Sequence, residues 1–266
     1  MAISEFRQTT IGEILESEKN MVLTAPERYG AYYNHALTCS IFLTHCVKSI
    51  SQDRWIFGAF ISQVKKHLTL SVFSTVRLHK VQSMMNLRHA LEAGANAAFA
   101  IANPDHTNFV DTDDFGILAP AKSLTIKRYR WLEEHYSAGS DAIKNLKDLI
   151  NNEMAHSSLI TTHHNPIPDL EQTEFITPFF DVEDRHHVET DLWMIGCTVI
   201  VILDILWGVN QNSNGIIFAD DFVEVFNQLQ KENQRLHAEK TNSDRYKKAM
   251  EKENLRKQAT NRKSSS

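Results

Sequence analysis

The chain has 266 residues, 42% of them apolar, with nine glycines and six prolines, which suits one large, mostly helical domain or one domain with appendages. Three cysteines (Cys39, Cys46 and Cys197) with no C-x-x-C pair disfavour a disulfide framework and fit buried free thiols in a reducing compartment. The net charge of −5 is uneven: residues 231–266 hold eleven basic and five acidic residues, a net +6 that leaves −11 on the body, so a body surface that tracks phosphates broadly is disfavoured.

In chain order, residues 1–24 read as an amphipathic lead-in, with Ile11, Ile14 and Leu15 at helical spacing. Pro26 then suits the first turn of a helix, with Thr24 as a nearby cap, running to about Ile50. Residues 55–102 lack proline, and Ile61, Val64, Leu68, Val72, Val76, Val81, Met84, Leu87, Leu91 and Ala95 form a nearly continuous stripe. This predicts one very long helix, or two abutting helices with a break near His79. The Ala-rich stretch 90–102 with Gly94 predicts close approach of a neighbouring helix.

Asn103-Pro104 ends that segment, and an acidic loop with Asp111, Asp113 and Asp114 follows. Pro120 is expected to open a helix through Tyr136, Gly139 to stop it, and Ser140 to cap the next. That next helix carries Ile143, Leu146, Leu149, Ile150 and Met154, then His156. Residues 161–187 are irregular, with a short strand or hairpin expected within 174–180. The most apolar run, 192–209, is marginal as a membrane span and carries Asp204, so it reads as a central core helix. A final amphipathic helix from about Ala219 is expected to dissolve into a charged, basic, partly disordered tail over 231–266. No basic n-region precedes an apolar stretch, so no signal peptide is expected.

The stretch Asn151-Asn152-Glu153-Met154-Ala155-His156 concentrates the chemistry. Asn152 and His156, four residues apart, share one helix face. On the long helix Arg88 and Glu92 have the same spacing and can pair. Each arrangement has a plainer alternative: a structural ion pair for Arg88–Glu92, and a packing histidine for His156. His163-His164 and His186-His187, near Asp181, Glu183 and Asp184, match no zinc signature, so no metal is expected. His67 and His79, with Lys65, Lys66, Arg77 and Lys80, read as a solvated face or as an RNA-binding stripe. The chain has no G-x-x-x-x-G-K, G-x-G-x-x-G or G-x-S-x-G, which disfavours the usual ATPase, dinucleotide and hydrolase-elbow enzymes.

The segment 146–160 (LKDLINNEMAHSSLI) resembles the motif helix of the HEPN superfamily, particularly its bacterial abortive-infection and mobile-element branches. Aligned on His156, Asn151 stands where that superfamily has Arg, and Asn152 at the polar position after it. The Arg88-to-Glu92 spacing is a second point of likeness. The resemblance implies an all-α, usually dimeric bundle whose active members cut RNA without a metal. His156 would act as general base, Asn152 would orient it, and Arg88 would bind phosphate. Asn151 and Glu92 would be binding residues. Asn151 can hydrogen-bond a phosphate oxygen but cannot neutralise it, which leaves Arg88 as the candidate replacement cation.

The fold expected is all-α, a single helical domain over 1–230 around a long helix hairpin, with a small irregular or two-stranded insert near 165–182. The function expected is a HEPN-like endoribonuclease of bacterial defence or a toxin-type system; the alternative is a non-catalytic helical interaction or scaffold protein. No cofactor or membrane span is expected. The partners are RNA, a second copy of the chain, and a cognate antitoxin or partner protein in the cytoplasm.

Overall fold

The computed structural model describes residues 5–7, 10–154, 174–176 and 179–252, with side chains over 10–151 and 179–252. After a short strand β1 (Glu5–Arg7), helix α1 (Ile11–His45) starts at a capping box. The Thr10 hydroxyl accepts from the Glu13 amide, and the Thr10 amide donates to Glu13 Oε2 at 2.8 Å. The expected lead-in and first helix are therefore one element. Pro26 lies inside it rather than at its start. Proline lacks the amide that would continue the ladder, and the break falls at Gly30, whose φ of +50° suits a residue without Cβ. The Thr24 hydroxyl, expected as a cap, instead donates to the Asn20 carbonyl one turn back.

The long segment is two helices, α2 (Trp55–Val76) and α3 (Lys80–Ala102), broken at Leu78 with φ +60°. They form the central antiparallel hairpin. Its closed end is stitched by buried hydroxyls, with Ser83 Oγ 3.0 Å from Ser71 Oγ and 2.6 Å from Thr75 Oγ1. Strand β2 (Val47–Ile50) occupies what was expected to be the end of the first helix. It pairs antiparallel with a later strand, β6 (Ile216–Phe218).

The acidic loop is a hairpin, β3 (Val110–Thr112) with β4 (Leu118–Pro120), so Pro120 closes a strand instead of opening a helix. Helices α4 (Leu124–His135) and α5 (Ser137–Met154) then abut at Tyr136, where φ −145° and ψ 57° leave the helical region. Gly139 and Ser140 lie within α5 and neither stops nor caps a helix. Gly139 is small for a packing reason: a Cβ there would lie 2.6 Å from Ile205 Cγ1. Strand β5 (Glu174–Ile176) falls in the expected insert and pairs parallel with β1. The other residues of the insert through 173 lie outside the described ones.

Helix α6 (Arg185–Ser213) is the axis of the bundle, packing on α1, α2, α3 and α5. By length and hydropathy it could cross a membrane, but a core helix passes the same test. Here Leu192, Ile195, Val199, Leu203 and Leu206 are buried among the other helices while Asp204 is exposed. The small residues of α3 admit it closely, since a Cβ on Gly94 would sit 2.8 Å from Ile202 Cγ1. Cys39 and Cys46 are buried thiols, and burial pushes both up to about 12, so they serve as small core residues.

Helix α7 (Phe222–Thr241) passes through residue 231, where a tail was expected to begin, because Leu236 is buried and Asn233 meets His35 of α1 at 3.1 Å. Residues 244–252 are helical as well. They are tied back by Arg245, whose Nη1 and Nη2 donate to Asp184 Oδ1 and Oδ2 at 2.8 and 2.6 Å.

That fork holds the Asp184 carboxyl down at about 2. The unfolded carboxyl titrates near 4. The stability it contributes is therefore complete above about 4 and drains away as pH falls towards about 2. Arg245→Ala should make the melting temperature less pH-dependent across that window, as followed by circular dichroism at successive pH values.

Candidate functional site

Arg88 and Glu92 sit one turn apart on α3, and Arg88 Nε donates to Glu92 Oε1 at 3.4 Å, as their spacing predicts. A second cation meets the same oxygen: Lys147 Nζ, from α5, lies 3.1 Å away. Burial raises the Glu92 carboxyl, and the Lys147 and Arg88 cations together overcome that, leaving it below the usual carboxylate range. Lys147 Nζ is also 3.4 Å from the Tyr129 hydroxyl and 5.1 Å from that ring's centroid.

Behind this pair is a third cation. Arg128 of α4 is 4% exposed, with its guanidinium 4.3 Å from the Tyr129 ring centroid. Its Nη1 donates to Asn96 Oδ1 at 2.6 Å and to the Glu92 carbonyl at 3.3 Å, while the buried Nε has no hydrogen-bond partner. Two cations, Arg88 and Lys147, thus meet the Glu92 carboxylate, while Arg128 holds the Glu92 backbone carbonyl.

A cleft of about 170 Å³ opens beside them, lined on the α3 side by Met84, Met85, Arg88, His89 and Glu92 and on the α5 side by Ile150. Arg88 and Glu92 are each about one-third exposed, at 38% and 32% of their side chains, so solvent reaches the pair. At the rim the His89 ring stacks on His67 of α2 at 5.1 Å, and His67 Nδ1 is 3.0 Å from Asn86 Oδ1.

Asn151 follows Ile150 on the last turns of α5, and its Oδ1 is buried with no partner among the described residues. Asn152 is described by its backbone, within α5, and His156 lies outside the described residues. Of the residues singled out from sequence, the structure brings Arg88 and Glu92 together. It adds Lys147, Arg128 and Tyr129, which sequence reasoning missed. Lys147 had a signal, since it stands one turn before Asn151 on the same helix.

The acidic residues near the insert serve the bundle instead, and His163 and His164 lie outside the described residues. Asp181 Oδ2 accepts from the Lys80 amide at 2.6 Å, Tyr29 donates to Glu183 at 3.0 Å, and Asp184 holds Arg245. No group of three or more His, Cys, Asp or Glu among the described residues is arranged to hold a metal. On the expected basic face, His79 Nε2 and Arg77 Nη1 meet Glu18 at 3.0 and 3.4 Å, and Lys65 donates to the Thr44 carbonyl at 3.1 Å.

Chemically, Arg88 and Lys147 form a solvent-reachable cationic pair whose charge one carboxylate only partly offsets. Arg88 lines the cleft, so an anion entering there meets its guanidinium directly, and Lys147 adds positive charge from α5 through the shared Glu92 oxygen. Compared with family models, curated proteins and solved structures, the chain matches none of them.

Proposed function

We propose that this chain is a HEPN-like helical protein that binds RNA phosphate in the α3–α5 cleft and, in its active form, cleaves the strand as a metal-independent endoribonuclease of bacterial defence or a toxin-type system. The observation that carries the reading is the convergence of Arg88 and Lys147 on one carboxylate oxygen, beside an open cleft, on the helix whose sequence runs on to His156.

In this mechanism a neutral His156 imidazole takes the proton of a ribose 2′-hydroxyl. The 2′-oxygen attacks the adjacent phosphorus, the bond to the 5′-oxygen breaks, and that oxygen takes a proton from solvent water while the His156 imidazolium returns its own to solvent. The products are a 2′,3′-cyclic phosphate and a 5′-hydroxyl end. Asn152 orients the imidazole. Asn151 is neutral where the superfamily carries its arginine, so Arg88 and Lys147 supply the positive charge that stabilises the crowded phosphorane oxygens. RNA, a second copy of the chain and a cognate antitoxin or partner protein in the cytoplasm are the partners this reading implies.

A second reading is a non-catalytic helical interaction protein. It is favoured by the engagement of Arg88 and Lys147 with Glu92, a contact that also ties α3 to α5. The two readings separate in a bacterial host overexpressing wild type or His156→Ala, with growth followed and RNA ends mapped. The enzyme reading expects growth arrest and new 2′,3′-cyclic phosphate ends with wild type and neither with the variant. Equal growth and identical RNA ends for both would leave the interaction reading.

A further inference from the structure

The β3–β4 hairpin ends in a largely exposed apolar tip: Phe115 is 89% exposed, with Ile117 and Leu118 beside it at 63% and 71%. The tip is held in shape. Asp113 Oδ1 accepts from the Phe115 and Ile117 amides at 2.9 and 2.7 Å, and Gly116 turns the chain with φ +78°. The base is anchored where Phe109 meets Phe60 and Phe99, each at 5.6 Å between ring centroids. A rigid display of a large aromatic in water costs free energy and is uncommon unless something covers it.

Elsewhere on the molecule, α1 and α2 leave an apolar groove of about 130 Å³ between Leu37, Ile41, Thr44, Thr69, Val72 and Phe73. An apolar cavity of about 150 Å³ takes a benzene ring, so this groove has the capacity for one phenyl group. Its surroundings match the hairpin in charge. Residues 31–45 and 55–76 contain no Asp or Glu, and Lys65 reaches the groove's edge at the Thr44 carbonyl. The hairpin, residues 109–120, contains Asp111, Asp113 and Asp114 and no Lys or Arg.

In the structure the hairpin does not fill the groove of its own chain, since Phe115 is left 89% exposed. Its base is fixed at Phe60, while Thr69 and Phe73 lie 9 and 13 residues further along the same helix, roughly 14–20 Å away.

We propose that the hairpin tip of one molecule, Phe115 foremost, seats in the α1–α2 groove of a second copy of this chain, with Lys65 facing the tip aspartates. An anionic bilayer is a poor alternative, because those aspartates would be pressed against its charge. The contact uses two different surfaces. It closes a dimer when each molecule gives its hairpin to the other, and extends a chain when it does not. It does not depend on the RNA reading.

The test is light scattering of the full chain from ~1 to ~100 µM, the range in which a contact of a few anchoring residues dissociates. Wild type should self-associate, less so at high salt. Phe115→Ser and Ile41→Glu each change an exposed side chain, so thermal melting should stay unchanged while self-association weakens at least tenfold. Lys65→Glu should weaken it as well. Mixing Phe115→Ser, whose groove is intact, with Ile41→Glu, whose hairpin is intact, should restore a one-to-one pair. A wild type that stays monomeric, variants that associate like wild type, or a mixture that does not pair would overturn the proposal.

Discussion

Arg88→Ala is expected to slow RNA cleavage by about a hundred- to a thousandfold, the usual cost of removing one donor from the oxygens that gain charge in the transition state. The loss should fall on kcat more than on KM, because the contact strengthens as the phosphorane forms. Stability should change little: the Arg88 side chain is 38% exposed and its ion pair with Glu92 is long, at 3.4 Å. Lys147→Met should produce a loss of similar kind, since its ammonium approaches the same Glu92 oxygen from the other helix. Arg88→Lys should recover part of the rate, keeping the charge but not the planar fork. Single-turnover cleavage of an end-labelled RNA separates these variants. Near-wild-type rates for Arg88→Ala would remove Arg88 from the mechanism.

Gly94→Val should be among the most destabilising single changes in the bundle. The added Cβ alone would lie 2.8 Å from Ile202 Cγ1, 3.0 Å from Cδ1 and 3.2 Å from Cγ2. Ile202 cannot swing aside cheaply: it is β-branched, in the middle of α6, and 1% exposed. Overpacking of this kind costs about 3 kcal/mol. For a chain of this size that lowers the melting temperature by roughly 6–12 °C. The sign opposes intrinsic propensity, by which replacing a mid-helix glycine gains up to about 1 kcal/mol. Adding Ile202→Ala should recover part of the loss, because the deleted branch makes room for the new one. Urea unfolding of the two single variants and the double variant checks this; independent, additive losses would mean that α3 and α6 do not meet there.

The helical class and the central hairpin are legible in the sequence because an apolar stripe of period 3.6 belongs to each helix by itself. The close approach at Gly94 is legible for the same reason, since small residues on one face announce a neighbour without naming it. Boundaries are less so. Pro26, Pro120 and Gly139 look like helix ends locally, yet the fold places them inside a helix, at a strand end and in contact with Ile205. Apart from β5, which falls within the strand expected at 174–180, the short strands escape the pattern because three or four residues are too few to show alternation. Within the candidate site, Arg88 and Glu92 can be paired from sequence because their spacing lies on one helix. Lys147, Arg128 and Tyr129 cannot, because which face of α4 and α5 turns towards α3 is decided by packing of buried residues such as Leu132, Ile143 and Ile150.

RNA phosphate is proposed to occupy the cleft between α3 and α5. The most direct measurement is the binding of a fluorescent single-stranded RNA to His156→Ala protein, by anisotropy over a salt series, with and without Lys147→Met. If the cleft is the phosphate site, the added substitution weakens binding and lowers the slope of log K against log salt by about 0.7, the value of one phosphate contact on a single strand. An affinity and slope unmoved by Lys147→Met would contradict it.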